Sequence, residues 1–336
     1  MKKAAIVILN FNGKGMLKKY LSQVYHHSVY EIIIVDNGSC DGSIDYLLSH
    51  FPEIKLVLLK ENHGYSKGYN LGLESLKGDY EYYILLNSDV EVAAHWDETL
   101  IEYMSQRPHV AVCQPKILSL SKKGYFDYAG AAGGFLDSMG YPFCRGRMLH
   151  TLEKDQDQYN DSIAVDWASG ACFCVKAGLF HDYEGFNPYF FSHMEEIDLC
   201  WRMRKDGFQV HCCGKAKVYH LGGGTLSEVN PFKTYLNFRN SLHMLYNNLT
   251  VSGFLTVIGL RFILDGGALI HLLFTKGWPH SKAVAKAYLD FVKKKDEVKG
   301  SKIARTNKLE SIKPRPVFSI IFQYYLLGKR KFSQLN

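Results

Sequence analysis

The first 120 residues alternate between two patterns with little in between. Continuous apolar runs, AAIVIL (4–9), EIIIVDN (31–37), IKLVLLK (54–60), YYILLN (82–87) and VAVCQPKIL (110–118), are separated by stretches of helical character. Those stretches are Gly13 to Tyr25, residues 43–51, residues 69–76 and Asp97 to Gln106. A strand that is apolar throughout has to be covered on both faces, and helices between such strands are the connections of a parallel sheet. The pattern predicts an α/β fold with a mostly parallel sheet flanked by helices. Sheets of this kind bind ligands beyond the carboxyl ends of their strands. Three polar clusters, Asn10–Asn12, Asp36–Ser39 and Asn87–Asp89, stand at those ends.

Residues 119–165 are rich in Gly, Tyr and charge and read as an inserted loop or hairpin region. Order returns with a strand at ACFCV, a helix around Glu195–Lys205, and strands at QVHCC and VYH. The character changes after about residue 232. FLTVIGLRFIL (254–264) and GGALIHLLF (266–274) are apolar but interrupted by Arg261 and Asp265. Each falls short of the roughly 18–20 apolar residues that a spanning helix needs. They are therefore expected as separate interfacial or re-entrant helices. Residues 226–336 hold 18 Lys and Arg against 6 Asp and Glu, a net of +12, whereas residues 1–225 hold 22 against 27, a net of −5. Lysines gather at Lys293, Lys294, Lys295, Lys299 and Lys302, and basic residues again at Lys329, Arg330 and Lys331. The expected division is a catalytic domain over 1–230 and a basic amphipathic helical region over 231–336 that faces an anionic membrane surface. A soluble helical subdomain with a solvated lysine face is the alternative.

The chain has 336 residues, 47% of them hydrophobic, which excludes disorder and permits a large core. Its eight cysteines lack zinc-ligand spacing and are expected as reduced, mostly buried thiols, which suits a cytosolic compartment. MKKAAIVILNFNG reads as a first strand, because its apolar run is shorter than a signal-peptide core.

Four stretches carry chemistry. In IIIVDNGSCDGS, Asp36 ends a strand where a carboxylate can accept from a base N–H or a ribose hydroxyl; the bland reading is an Asx turn, with Asp41 capping the next helix. In ENHGYSKGYNLGL (61–73), glycines lead into a helix whose first amides favour an anion. Neither a Walker loop nor a dinucleotide fingerprint is present, which counts against hydride transfer. In FFSHMEEIDLCWRMRKDGF, Glu195, Glu196 and Asp198 crowd a helix start, and one glutamate at a pocket mouth is a candidate general base. Asp198 and Arg202, four apart, read as an internal ion pair. In VYHLGGGT, His220 leaves a strand into a glycine loop, a placement suited to a metal ligand.

In this order the four stretches resemble glycosyltransferase family two, the inverting nucleotide-sugar transferases of GT-A fold, over roughly residues 4–240. VILNFNG is similar to the family's first strand and nucleotide loop, and VDNGSCDGS to its base-binding segment. NHGYSKGYNLGL resembles the N-x-G-F-A-x-G-x-N-x-G stretch, and LLNSDVEV occupies the place of the D-x-D metal motif. SGACFCVKAGLF and FNPYFFSHMEEIDLCWRMRKDGF look like the acceptor strand and the E-D-x-D-L-x-x-R helix. Two departures stand out: Asn87 replaces the first Asp of D-x-D, and Glu196 stands where the family's base is Asp. The most similar subgroup comprises rhamnosyltransferases and related surface-glycan transferases.

The resemblance implies donor contacts from Asn10, Asn12, Asp36, Asn37, Gly64, Lys67, Asn70, Asn87, Ser88 and Asp89. It implies Mg2+ or Mn2+ on Asp89 and His220. Glu196 is the first choice for base, with Glu195 and Asp198 behind it, and Trp167, Gly170 and Arg202 stand on the acceptor side. The expected partners are a nucleotide-diphosphate sugar, a polyprenyl-diphosphate-linked glycan acceptor and an anionic membrane, with no nucleic acid; a homodimer is compatible with the chain. The expected location is the cytoplasmic face of a bacterial inner membrane. Three other readings compete with this one. A nucleotidyltransferase needs a basic glycine-rich phosphate loop, and a processive synthase needs several spanning helices and a Q-x-x-R-W motif. The third is a non-catalytic membrane scaffold that keeps the fold.

Overall fold

A computed structural model describes residues 1–222, 229–298 and 317–335. Gly223, Gly224 and Thr225 of the glycine loop, and Lys299 and Lys302 of the lysine cluster, lie outside the described residues. The chain begins with β1 (Lys2–Asn10), then a helical stretch made of α1 (Lys14–Met16), a π-helical turn over Leu17–Leu21 and α2 (Ser22–His26). Next come β2 (Glu31–Asn37), α3 (Ser43–His50), β3 (Lys55–Leu59), α4 (Gly64–Glu74), β4 (Tyr80–Leu86), the short β5 (Val90–Val92), α5 (Trp96–Ser105) and β6 (Val110–Ser119). The expected helix over 69–76 starts earlier, at Gly64.

The sheet order is β11-β13-β6-β12-β4-β1-β2-β3, where β11 is Ile163–Val165, β12 is Cys172–Lys176 and β13 is Gln209–His220, with β5 paired to β13. Strands β3, β2, β1, β4, β6 and β13 share one direction, and β12, β11 and β5 run against it. QVHCC and VYH belong to this one strand β13, which carries a register shift between Cys213 and Lys217. The common direction puts Asn10, Asn37, Asn87 and His220 on one edge.

Period-two alternation loads both faces. Val7, Val35, Tyr83 and Leu85 pack on one side against Tyr69 and Leu73 of α4, with Phe180 of α6 (Ala177–Asp182) and Leu199 and Met203 of α7 (Glu195–Lys205). Ile6, Ile8, Ile34 and Ile84 pack on the other side against Leu17, Leu21, Leu47, Trp96 and Leu100. Each such side chain contributes roughly 1.5–3 kcal/mol by burial, which outweighs any local propensity. The insert at 119–165 forms a second, four-stranded antiparallel sheet of β7 (Gly134–Leu136), β8 (Pro142–Cys144), β9 (Arg147–Met148) and β10 (Thr151–Leu152). All eight cysteines are free thiols, and seven are buried.

The C-terminal third forms α8 (Pro231–Asn248), α9 (Val251–Thr275), α10 (Trp278–Lys294) and α11 (Ile320–Tyr325). Here the structure corrects the sequence reading: the two apolar segments are one 25-residue helix, α9, long and apolar enough by length and composition to cross a membrane. Arg261 and Asp265, read as interruptions, lie on its inner face as a buried ion pair, Nε to Oδ2 at 3.2 Å. Four-residue spacing puts both on one side, so the outer side stays apolar.

Gly72 sets how closely α4 approaches β2. A Cβ there would sit 2.6 Å from Val35 Cγ2. Gly72→Ala is expected to destabilise the protein by about 1–3 kcal/mol through overpacking, read as a lower denaturant midpoint; an unchanged midpoint would show that the helix has room to move.

Candidate functional site

The edge is built from loops that bond to one another. Asn10 Nδ2 donates to Asp36 Oδ2 at 2.9 Å and to Ser39 Oγ at 3.1 Å, joining β1 to β2. Ser39 N donates to Asp36 Oδ1, so Asp36 does form the turn contact, and Asn12 Oδ1 accepts from Cys40 N at 2.8 Å. Asp41 bonds the amides of both Ser43 and Lys14 and so ties together the starts of two helices. Asn10 Oδ1 is buried with no partner and faces Gly13, where a Cβ would lie 2.4 Å away and Ser88 Oγ stands next in line. This leaves a narrow cradle between the β1 and β4 loops that only glycine at position 13 keeps open.

The chain leaves β4 at Asn87, turns at Ser88 and Asp89, and enters β5. Val90 pairs with His220, and Leu221 N donates to Asp89 O at 3.0 Å. That pairing brings Asp89 Oδ1 to 3.2 Å from His220 Nε2, while His220 Nδ1 lies 3.1 Å from Asp127 Oδ2. Asn87 Nδ2 reaches Nε2 at 3.4 Å. Burial disfavours the imidazolium, but its hydrogen bonds to Asp127 and Asp89 outweigh burial and raise its pKa to about 10. Burial likewise opposes ionisation of Asp89, yet the contact with His220 leaves its pKa lowered.

These residues fit a divalent ion in a specific way. Asp127 fixes the ring of His220 and leaves Nε2 turned towards the Asp89 carboxylate, the carboxylate–histidine arrangement that orients metal ligands. Asp127 lies on the far ring nitrogen and cannot share an ion with Nε2. Among the described residues, no group of three His, Cys, Asp or Glu side chains forms a metal site. Two ligands leave most of a six-coordinate shell to be filled by oxygens from elsewhere.

A second group lies at the start of α7. Glu195 is buried and Glu196 half-buried, and each has an Oε2 without a hydrogen-bond partner. Burial, with Glu196 beside it, pushes the Glu195 pKa well up; burial raises that of Glu196 to about 7. Tyr65 lies within electrostatic reach of both and donates to Gly170 O at 2.9 Å. The loop that leads into the glutamates is strained: Phe191, His193 and Met194 all have left-handed φ, at 63°, 71° and 71°. It is held by α8. Asn240 Nδ2 contacts the carbonyls of Phe190, Ser192 and His193 at 2.9, 2.9 and 2.7 Å, and Arg239 donates to Tyr189 O and Phe190 O.

Several residues expected at the site are engaged elsewhere. Asp198 is fully buried, with Oδ2 accepting from Arg202 Nε at 2.9 Å and Oδ1 from Asn248 Nδ2 at 2.8 Å, and no oxygen is left for a proton transfer. Arg202 spends its other nitrogens on Tyr183 O and Gly185 O, which removes it from the acceptor side. Trp167 is buried against Gly134 and donates to Phe135 O. Asn70 clamps the backbone of Phe186 through both amide atoms. Asn37 holds Asn62, His63 and Gly64. Gly64 lies under the Phe191 ring, Lys67 points to solvent, and the first amides of α4 are taken by Asn62 Oδ1 and Phe191 O. The helix start read as an anion cradle is therefore closed by the chain itself.

A mixed α/β sheet whose carboxyl edge gathers Asn10, Asp36, Asp89 and His220, together with two glutamates at the start of α7, defines a GT-A type scaffold. Residues 5–171 match the family model described as Glycosyl transferase family 2. The chain belongs, through this domain, to glycosyltransferase family 2, and it is a glycosyltransferase. It is 25% identical over 279 residues to the low-salt glycan biosynthesis hexosyltransferase Agl10 of Haloferax volcanii, covering 81% of this chain and 85% of the relative. It is 24% identical to an N-acetylglucosaminyl-diphospho-decaprenol L-rhamnosyltransferase of Mycobacterium tuberculosis over 56% of this chain and 66% of the relative. GalNAc-T7, solved with UDP, GalNAc and Mn2+, shares the fold with a TM-score of 0.57 at 15% identity, over 74% of this chain and 48% of that one.

Asn240→Ala leaves three carbonyls of a strained loop without their shared donor. The expected loss is about 1–3 kcal/mol, with faster amide exchange in residues 189–194; protection equal to wild type would show that the loop holds itself.

Proposed function

We propose that the protein transfers one sugar, with inversion, from a nucleoside-diphosphate sugar to a hydroxyl of a polyprenyl-diphosphate-linked glycan in bacterial surface-glycan synthesis. The observation that supports this most is Asp89 held against His220, itself backed by Asp127, at the carboxyl edge of the sheet; the two glutamates with unpartnered oxygens at the start of α7 add a candidate base. Under this reading residues 1–230 are the catalytic domain and residues 231–336 the region beside the membrane. GalNAc-T7 was solved with UDP and Mn2+, and the mycobacterial relative is an N-acetylglucosaminyl-diphospho-decaprenol L-rhamnosyltransferase, so both suggest the substrate classes here. dTDP-rhamnose and UDP-sugars are the donors to test.

Asp36, with the Asn10–Asn12 loop, holds the nucleoside in this reading. Ser88 and the Asn10 Oδ1 cradle border the ribose and diphosphate. Asp89 and His220 Nε2 would hold Mg2+ or Mn2+, with Asn87 as a neutral hydrogen-bonding neighbour. When bound, the ion supplies charge neutralisation for the departing diphosphate. His220 gives up its Nε2 proton for that role and keeps Nδ1–H on Asp127.

Glu196 takes the proton of the acceptor hydroxyl, which attacks the anomeric carbon from the face opposite the leaving diphosphate. Two observations support Glu196 over Glu195: its side chain is half-buried where Glu195 is buried, and its pKa of about 7 matches a working base, whereas burial pushes that of Glu195 well up. Gly170, whose carbonyl accepts from Tyr65, lies beside this group.

Glu196→Gln is expected to abolish transfer, by 100-fold or more on the order of general-base effects, and to leave nucleotide-sugar binding intact. In the wild type, kcat/KM should rise with pH through about 7 as this carboxyl ionises. Full turnover by the variant, or undiminished transfer at pH 5, would remove Glu196 from the role. EDTA should stop transfer, and added Mn2+ should restore it.

A further inference from the structure

We propose that α9 docks in the plane of an anionic membrane, with its outer face among the lipid chains and α8 and α10 on the aqueous side. This rests on the reading of the protein as a transferase that meets a lipid-linked acceptor, and it specifies how that meeting is arranged. α9 has the length and apolarity of a spanning helix, about 37 Å at 1.5 Å per residue. Its contacts argue against spanning. Only Val257, Arg261 and Asp265 are buried, at four-residue spacing, so one narrow stripe faces the protein.

That stripe is fastened to the body of the molecule. Arg261 donates to Met139 O at 3.2 Å and to Ser241 Oγ of α8 at 3.1 Å. Asp265 accepts from Tyr141 and from Tyr288 of α10. Phe254 packs on Tyr246 of α8 and Phe291 of α10, and Phe262 on Tyr288. A spanning α9 would draw α10 into the hydrocarbon beside it, together with the exposed Lys282, Lys286, Lys293 and Lys294. Exposed lysines at the bilayer centre are strongly disfavoured.

The outer face is continuous in character. Leu255, Phe262, Ile263, Ile270 and Phe274 are each more than half exposed. A second apolar surface at Phe318, Tyr325 and Leu326, around α11, hangs from the same support: Ser138 N donates to Val317 O and Ile320 N to Asp137 Oδ2, next to the Met139 carbonyl that holds Arg261. Two apolar segments fixed to one loop, in a region of net charge +12, fit a sheet of anionic lipid. A second copy of the chain fits poorly, because a two-fold contact would set like-charged lysine rims against each other.

The test uses the full-length chain with tryptophan placed at three outer-face positions, Leu255→Trp, Phe262→Trp and Ile270→Trp. Each is bound to phosphatidylglycerol-containing vesicles with bromines at graded depths, and its quenching is read against wild type. In-plane docking predicts the same shallow depth for all three, with no binding to pure phosphatidylcholine. A Phe262 position at the bilayer centre with shallow ends would mean spanning and overturn the proposal. Absence of quenching at all three positions, with or without dimer by sedimentation, overturns it as well. The substituted positions are each more than half exposed, Phe262 also touching Tyr288, and the thermal midpoint of each variant verifies its fold. Nucleotide-sugar binding on the same samples is read separately, so a failed transferase reading shows there and leaves the depth result standing.

Discussion

The short antiparallel pairing of β5 with the end of β13 is the constraint on which the site depends. Without it, Asp89 would be one more carboxylate at a strand end. With it, Val90 is registered against His220, and the imidazole is gripped between Asp89 and Asp127. The cationic ring holds two buried carboxylates together, each of which would otherwise be costly to bury. A diphosphate-bound ion meeting Asp89 and Nε2 would replace that positive charge with another.

The strands and most helices were legible because their apolar periodicity is also the packing rule of the sheet: Ile32 and Ile34 face one layer while Ile33 and Val35 face the other. Asp36, Asp89 and His220 were legible as polar residues at strand ends. Asp127 was not, because it lies in the insert, where no period announces which side chains turn inward. Asn240 and Arg239 were missed for a different reason: they sit in the C-terminal region, and only the tertiary fold shows that they grip the loop before Glu195. Gly64, Lys67 and Asn70 show the opposite difficulty. Their motif spacing suggested ligand contact, but Gly64 lies under the Phe191 ring, Asn70 is bonded to the Phe186 backbone, and Lys67 is left exposed. Arg261 and Asp265 read as breaks in an apolar run because a linear count does not register that both lie on one helical face.

The C-terminal helices are thus less separable from the catalytic sheet than composition implied. On α8, Asn240 holds the carbonyls of the glutamate loop while its neighbour Ser241 accepts from Arg261 of α9. One helix therefore touches both the glutamate loop and the apolar surface helix. The strain in Phe191, His193 and Met194 is sustained by this support, as expected where a surrounding structure over-determines an unfavourable backbone.

The central claim is that nucleotide, metal and diphosphate come together at Asp89 and His220, with two protein ligands and the remainder from the donor. Thermal unfolding with a panel of dTDP-, UDP- and GDP-sugars, with Mn2+ or EDTA, tests it most directly. A large rise in Tm is predicted only when a nucleotide sugar and Mn2+ are both present, with a small effect of Mn2+ alone and loss of the joint effect in Asp89→Asn. A strong shift with Mn2+ alone, or an equal shift with nucleotide sugar in EDTA, would contradict it.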